Sequence, residues 1–461
     1  MSSAAVDQVD YDIVVLGAGS GGYACALRAA QLGLRVALVE KDKIGGTCLH
    51  VGCIPTKALL HAAEVADTVR DAASVGVRAT HDGIDLAQVL RYQDEVVGRL
   101  YKGLTGLVSG RGVDVVSGSG RLAGPGQVEV DGRTLRGRHV VLATGSAARL
   151  LPGIPIGGRI VTSTEALRLT TVPERVVVLG GGVIGVEFAS VWRSFGAQVT
   201  VIEALDRLLP PEDPAVSAAV QRAFRRRRIE VRTGVRVAGA VDDGSQVTVT
   251  FEDGGIVSAD LLLVAVGRVP VTDGLGYAEA GVTLDRGYVT VDEQLRTGVP
   301  GVYAVGDIVS GLQLAHRGFA HGIFVAEHIA GRNPAPVVDA LIPRVTYSDP
   351  EVASVGLTES QARERYGEVK TVEYSLAGNG RSQILHTQGF VKVVSVPDGP
   401  VVGIHMVGAR MGEQVGEAQL ICAWEALPGE VAALVHAHPT QNEALGEAHL
   451  ALAGAPLHAH A

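Results

Sequence analysis

Short, unbroken apolar runs separated by glycine-rich turns set the rhythm of most of the chain, and the runs recur in a fixed order. Tyr11-Asp12-Ile13-Val14-Val15-Leu16 reads as a buried strand, Tyr23 to Leu32 as a helix ending at Gly33, and Arg35-Val36-Ala37-Leu38-Val39 as the next strand. His139-Val140-Val141-Leu142-Ala143 is a further strand, and Leu151-Pro152-Gly153 marks a domain boundary. The order then repeats: strand Val176-Val177-Val178-Leu179, a helix through Phe195, strand Val199-Thr200-Val201-Ile202, and a closing run from Leu261 to Arg268. Residues 299–308 predict another buried strand. Residues 86–108, apolar at Val89, Val96, Val97, Leu100, Leu104 and Leu107, predict a long amphipathic helix packed on the core. From about residue 341 the pattern changes to antiparallel strands around Val345, Phe390 and Val401, followed by helices near 412–426 and 440–452.

The turns carry the first chemical signal. Gly17, Gly19 and Gly22 follow the first strand with dinucleotide-fingerprint spacing, which supplies a tight turn, close backbone approach to a pyrophosphate and close helix packing. Glu40 ends the second strand, where a carboxylate can accept from ribose hydroxyls. Gly180, Gly182, Gly185, Gly196 and Glu203 repeat Gly17, Gly19, Gly22, Gly33 and Glu40 at a constant offset of 163 residues. Agreement at five positions indicates two copies of one nucleotide-binding fold. Glu203 favours a nicotinamide nucleotide with a free 2′-hydroxyl, because a 2′-phosphate would be repelled; Arg207 comes four residues too late to replace it.

Composition narrows the class. The chain has 461 residues with 40 basic and 49 acidic side chains, a formal charge of −9 that disfavours nucleic acid as a partner. No apolar run reaches the length that spans a bilayer, which argues against a membrane protein. The first ten residues carry acid and no apolar core, unlike a secretory leader, so a cytoplasmic location is expected. Four cysteines do not make a disulfide-stapled framework; Cys25 and Cys422 read as packing residues. The arginines 225–228 read as a solvated run complementing a helix dipole, and His458-Ala459-His460 as a mobile end.

Cys48 and Cys53 stand five apart in Gly45-Gly46-Thr47-Cys48-Leu49-His50-Val51-Gly52-Cys53-Ile54-Pro55-Thr56-Lys57. A bond between them requires a distorted turn, and Gly52 supplies the freedom. Pro55 fits the first turn of a following helix, which puts Cys53 just before an N-terminus that favours a thiolate. A redox-active disulfide, a structural disulfide and two unrelated buried cysteines all fit this spacing; the two nucleotide signatures favour the first. Asp307 at a strand end can bind a sugar or polyol hydroxyl or simply close a turn. His438, before Pro439, can be reached by Glu443, a histidine-carboxylate pair suited to proton transfer. A metal would ask more of His436 and His438 than the sequence around them offers.

These motifs, GGTCLHVGCIPTKALL and HAHPTQNEALGEA above all, resemble the FAD-dependent pyridine nucleotide-disulfide oxidoreductases over nearly the whole chain, and most closely their lipoamide-oxidising branch. The resemblance implies an α/β fold of two Rossmann-like dinucleotide-binding domains, for FAD and NAD, plus a C-terminal α+β dimerisation domain. The expected division is 1–152 and 272–340 for the FAD domain, 153–271 for the NAD domain and 341–461 for the interface domain. It implies FAD contacts at Gly17, Gly19, Gly22, Glu40, Lys57, Gly120, Thr144, Gly145, Ser146, Asp307, Gln313, Leu314, Ala315 and His316. It implies NAD contacts at Gly180, Gly181, Gly182, Val183, Ile184, Gly185, Val186, Glu187, Phe188, Glu203, Val237 and Gly267. Lys57 and Glu187 resemble the ion pair beside the flavin. His438 and Glu443 match the catalytic base pair, which in this family comes from the other subunit of a homodimer. Cys48 would be the outer sulfur that meets a dihydrolipoyl thiol, and Cys53 the sulfur nearer the flavin.

The implied partners are lipoyl domains and the core acyltransferase of 2-oxo acid dehydrogenase complexes, or the lipoyl carrier of glycine cleavage. Arg317 and His321 depart from the family, which commonly has an apolar or small residue and an acid there, and so bear on local charge near the flavin. The competing activity is an NADPH-dependent reductase of a small thiol disulfide, which Glu203 and the HAHPT context argue against. Mercury reduction would require a further cysteine pair near the C-terminus, and a non-catalytic flavoprotein scaffold would have no use for both cysteines and the His438–Glu443 pair.

Overall fold

The computed structural model describes residues 9–458; most of the ten-residue stretch read as unlike a secretory leader, and Ala459 and His460 of the terminal histidine stretch, lie outside the described residues. The chain forms two compact units, one from residues up to Ala58, Leu90–Arg149 and Arg268–Asp339, the other from Leu59–Val89, Leu150–Gly267 and residues from Ala340 on. The helices that frame the sites are, in chain order, α1 (Ser20–Gln31), α2 (Gly46–Val51), α3 (Cys53–Asp71), α4 (Leu86–Gly110), α5 (Val183–Ser194), α6 (Pro214–Arg226), α7 (Ala315–Ile329), α8 (Met411–Ala423) and α9 (Glu443–Leu452).

In the first unit Tyr11–Leu16 is the central strand of a parallel sheet, paired with Val36–Glu40 on one side and Arg133–Leu142 on the other. Asp114–Ser117 and Val302–Ala304 extend it at either end. Ile13, Val14 and Val15 are fully buried, as strands covered on both faces must be. Each such side chain contributes about 1.5–3 kcal/mol of burial. Leu16 is opposite both Val39 and Leu142, and Ala304 is opposite Leu142, so the turns after these strands gather at one edge of the sheet. Ligands of open α/β sheets bind at that edge. Antiparallel hairpins at Gly120–Gly124 and Gln127–Val130 continue Arg133–Leu142, an extension the apolar runs do not announce. The run at 299–308 forms a strand only over Val302–Ala304, because a 3-10 turn takes Gly306–Ile308.

The second unit repeats the plan. Arg175–Leu179 is central, Gln198–Glu203 and Leu261–Val264 flank it, and Glu230–Thr233 and Ile160–Val161 lie outside, all parallel. Leu179 is opposite Ile202 and Val264, the counterpart of the register around Leu16. The C-terminal segment forms a five-stranded antiparallel sheet, with α8 packed on it.

Three local expectations change. On α4 only Gln93, Val97 and Val108 are buried, while Leu100 and Leu107 are 46% and 44% exposed, so the amphipathic stripe is only partly core. Arg227 is not a solvated member of its run: it donates to Asp67 at 3.1 Å and to Ser194 Oγ at 2.7 Å. His458 is tied down, its backbone N–H and Nδ1 both meeting the Glu447 carboxylate, at 3.0 and 2.7 Å.

Candidate active site

The two glycine turns have the same physical construction. Gly17 and Gly180 lie at φ 102° and 113°, which glycine alone adopts without strain. A Cβ on Gly22 would collide with the Gly17 carbonyl oxygen, and one on Gly185 with that of Gly180. A Cβ on Gly19 or Gly182 would meet nothing within 4 Å. These middle glycines cap α1 and α5 with no side-chain hydrogen bond, so the first helical amides face open space, a cradle that fits a pyrophosphate. Glu40 accepts from the backbone N–H of Ala18 at 2.8 Å and of Asp42 at 2.9 Å; Glu203 accepts from Gly181 at 2.7 Å and Leu205 at 2.8 Å. The same offset of 163 residues relates these donors. Arg207 directs an N–H to the Pro210 carbonyl.

Gly185→Ala is therefore expected to raise KM for NAD about tenfold or more while FAD stays bound, because α5 must retreat from its turn. Gly22→Ala is expected to lose FAD instead; flavin absorbance and NAD saturation curves separate the two. The side chains of Val186 and Phe188 are fully buried, Phe188 with its ring 5.2 Å from Trp192, and they anchor α5 to the core. Val183 and Ile184 open α5, Gly267 (φ 108°) lies on the loop after Leu261–Val264, and Val237 begins a separate antiparallel sheet. Glu187 is buried and accepts from the Tyr347 N–H at 3.0 Å.

The cysteine segment is bolted to the first glycine turn. Gly45 N–H donates to Ala18 O at 2.8 Å, and a Cβ on Gly46 would lie 2.7 Å from Gly19 Cα. Cys48 lies on α2, Gly52 breaks the helix, and Cys53 is the first residue of α3 rather than the residue before it. A Cβ on Gly52 would stand 2.8 Å from Thr47 O, so the break depends on close approach. Cys48 and Cys53 stand in hydrogen-bond contact. That bond, then burial and the charge on Cys53, push the Cys48 thiol up, against the pull of Lys57. Cys48 thus keeps its proton near neutral pH, beside Cys53 at the start of α3.

Around the pair stand two groups that the sequence did not single out. Burial, then the charges of Cys48 and Cys53, push the Tyr23 hydroxyl up to about 12. Burial lowers the Arg268 guanidinium, with the charges of Asp307 and Cys53 opposing. Arg268 donates through Nε to Ser146 Oγ at 2.7 Å and through Nη2 to Ser146 O at 2.6 Å, and Ser146 Oγ donates to Asp307 at 2.6 Å. Thr144 Oγ1 donates to Val271 O at 2.6 Å, and Gly145 sits at φ 72°. Gly120 packs its α-carbon against Leu16 and Val39. Gln313 Nε2 is buried without a partner among the described residues, an orphan donor that a bound flavin would satisfy. Leu314 caps α7 without a side-chain bond, and Ala315 and His316 open the helix.

The two departures add no free charge. Arg317 is buried and forks onto Asp339 at 2.7 and 3.0 Å. Burial, with the Arg317 charge adding to it, pulls the His321 imidazole down to about 4, so it is neutral near pH 7.

In the second unit His438 Nδ1 meets Glu443 Oε1 at 2.8 Å, and Glu443 Oε2 accepts the Thr440 N–H at 2.7 Å. His438 is 77% exposed, so its Nε2 is free to meet a substrate thiol. Burial raises the Glu443 carboxyl, but the Thr440 N–H and His438 outweigh it and hold the group below the ordinary value. Glu417 on α8 binds His436 Nε2 at 2.9 Å and also takes the Asn442 amide, pinning the loop on both sides of His438.

The model of the pyridine nucleotide-disulphide oxidoreductases matches residues 11–322, and that of their dimerisation domain residues 342–449. The chain belongs to this family. Members of the pyridine nucleotide-disulphide oxidoreductases use FAD and NAD, and the two cradles fit those cofactors in turn. Among curated members, the chain is 39% identical to a dihydrolipoyl dehydrogenase of Bacillus subtilis over 97% of its own length and 99% of the relative's. It is 42% identical to dihydrolipoyl dehydrogenase 3 of Pseudomonas aeruginosa, over 95% and 97%. Among solved members it resembles LpdA of Mycobacterium tuberculosis (TM-score 0.90, 29% identity, 95% and 99% covered). It also resembles the HOCl-induced flavoprotein disulfide reductase RclA of Escherichia coli (TM-score 0.85, 27% identity, 95% and 99% covered).

Proposed function

We propose that this protein is a dihydrolipoyl dehydrogenase, oxidising protein-bound dihydrolipoamide to lipoamide and reducing NAD to NADH. The observation that carries the reading is a dithiol seated against a dinucleotide turn, in a chain matched end to end by curated enzymes of that activity. His438, its Nδ1 held by Glu443, takes the proton of one substrate thiol on Nε2. The thiolate attacks Cys48 Sγ, the Cys48–Cys53 bond breaks, and Cys53 leaves as a thiolate steadied by Lys57, Arg268 and its helix N-terminus. The second substrate thiol, deprotonated in turn, attacks its neighbour in the mixed disulfide. Cys48 leaves with a proton and the lipoyl disulfide is released. When bound, FAD supplies the two-electron carrier that passes the reducing equivalents of the dithiol to NAD.

The functional division is 1–152 and 272–340 for FAD, 153–271 for NAD and 341–461 for the interface, with Lys57 and Glu187 serving as the pair beside the flavin. A homodimer, in which each subunit lends His438 and Glu443 to its partner's sulfurs, is supported by the dimerisation-domain match. Exposed Trp424 (76%), Leu434 (59%) and Val435 (98%) in that segment support it as well. Lipoyl domains and the acyltransferase core of 2-oxo acid dehydrogenase complexes, or the lipoyl carrier of glycine cleavage, are the partners. The setting we propose is the cytoplasm; among the described residues no helix is long and apolar enough to cross a membrane.

Purified protein is expected to form NADH from dihydrolipoamide and NAD at a rate at least about a hundredfold above its NADPH-dependent reduction of small disulfides, since Glu203 repels a 2′-phosphate. A preference for NADPH and a small disulfide would assign the protein to reductive chemistry instead.

A further inference from the structure

We propose that α7 holds the two halves of the FAD cradle in register through two stripes of its own surface. The first stripe is Gly318 and Gly322, one helical turn apart and pressed onto α1. A Cβ on Gly318 would lie 2.8 Å from Ser20 Oγ, and one on Gly322 2.8 Å from the Cys25 backbone nitrogen. α1 starts at the pyrophosphate turn, so glycine-to-backbone contact fixes α7 to that half of the cradle.

The second stripe is Arg317 and His321, also one turn apart. Arg317 donates to Val309 O at 3.3 Å, Leu312 O at 3.2 Å and Ser310 O at 2.7 Å, while its fork holds Asp339. The loop wraps the guanidinium closely: a Cβ on Gly311 would stand 2.6 Å from Arg317 Nη2. His321 Nδ1 accepts the Gly306 N–H at 3.4 Å, which the neutral ring can do and an imidazolium cannot. The segment from Gly306 to Leu312 is thus gripped at its start and along its length by one helix face. Asp307 lies between the grips, and Gln313, with its orphan amide, follows directly. Arg317 and His321 are positioning residues. They act on FAD through Asp307 and Gln313, and the inference rests on the reading of those two as FAD contacts.

Holoenzymes carrying Arg317→Lys, His321→Leu or Asp339→Asn test it, with Asp307→Asn as reference and free-flavin fluorescence after dilution as readout. Lysine keeps the charge but lacks the fork that satisfies carboxylate and carbonyls together. FAD release is expected to quicken about tenfold in Arg317→Lys and His321→Leu, and about threefold in Asp339→Asn, with NAD affinity unchanged. His321→Gln, which keeps a side-chain acceptor, is expected to restore much of the retention. Should Arg317→Lys yield no holoenzyme, the half-exposed Asp339 decides the matter alone. Normal release from all three with rapid release from Asp307→Asn overturns the bridging role. Normal release from Asp307→Asn as well overturns the contact reading beneath it.

Discussion

Cys48→Ser abolishes dihydrolipoamide-dependent NADH formation, a loss of at least about three orders of magnitude, while the protein stays yellow. The hydroxyl fits where the thiol was, because Cys48 sits on α2 and the segment is positioned by its glycines: Gly45 on Ala18, Gly46 on Gly19 and Gly52 on Thr47. What the oxygen lacks is the chemistry, since it forms no bond that a second thiol can resolve by exchange. Electron flow from NADH to a one-electron dye needs the nucleotide sites and not the sulfurs, so that rate is expected to survive. Cys53→Ser fails by another route, leaving Cys48 without a leaving group. Flavin content, dye reduction and lipoamide turnover on the same preparation separate these cases. Retained lipoamide turnover in Cys48→Ser would remove it as the sulfur that meets substrate.

Much of this architecture was legible from sequence because its signals are local. A parallel strand covered on both faces must be an apolar run, and the turn after it must carry glycine where a Cβ would strike a carbonyl; both follow from a few adjacent residues. The constant offset even carried over to the hydrogen bonds of Glu40 and Glu203, which no pattern of residue types states directly. The illegible part lies in contacts between distant positions. Arg268, Ser146 and Asp307 meet across more than a hundred residues, and Tyr23 reaches the cysteines because Gly46 rests on Gly19. The resemblance names Val186 and Phe188 with the nucleotide site as part of one continuous stretch, and type alone does not say that a helix, turning successive residues about 100° apart, sets these two side chains in the core. Arg317 and His321 show the same limit in charge: residue type says only that they bear on local charge near the flavin, whereas the fold pairs one with Asp339 and desolvates the other.

His438→Gln lowers kcat/KM for dihydrolipoamide about 10²- to 10⁴-fold, the span of general acid–base catalysis, and leaves NADH-to-dye electron transfer intact. Glutamine retains a hydrogen bond to Glu443 but cannot accept and return a proton near neutral pH. Glu443→Gln is expected to cost less, about ten- to a hundredfold, because the imidazole stays in place while its tautomer and the charge opposite its cationic form are no longer fixed. Glu443 is held below the ordinary carboxylate value, so it remains ionised as pH falls through the mildly acidic range and keeps its hold on His438 Nδ1. The loop itself should hold in both variants, since Glu417 grips His436 and Asn442 on either side of it. A loss under about threefold in His438→Gln would take the pair out of the proton path.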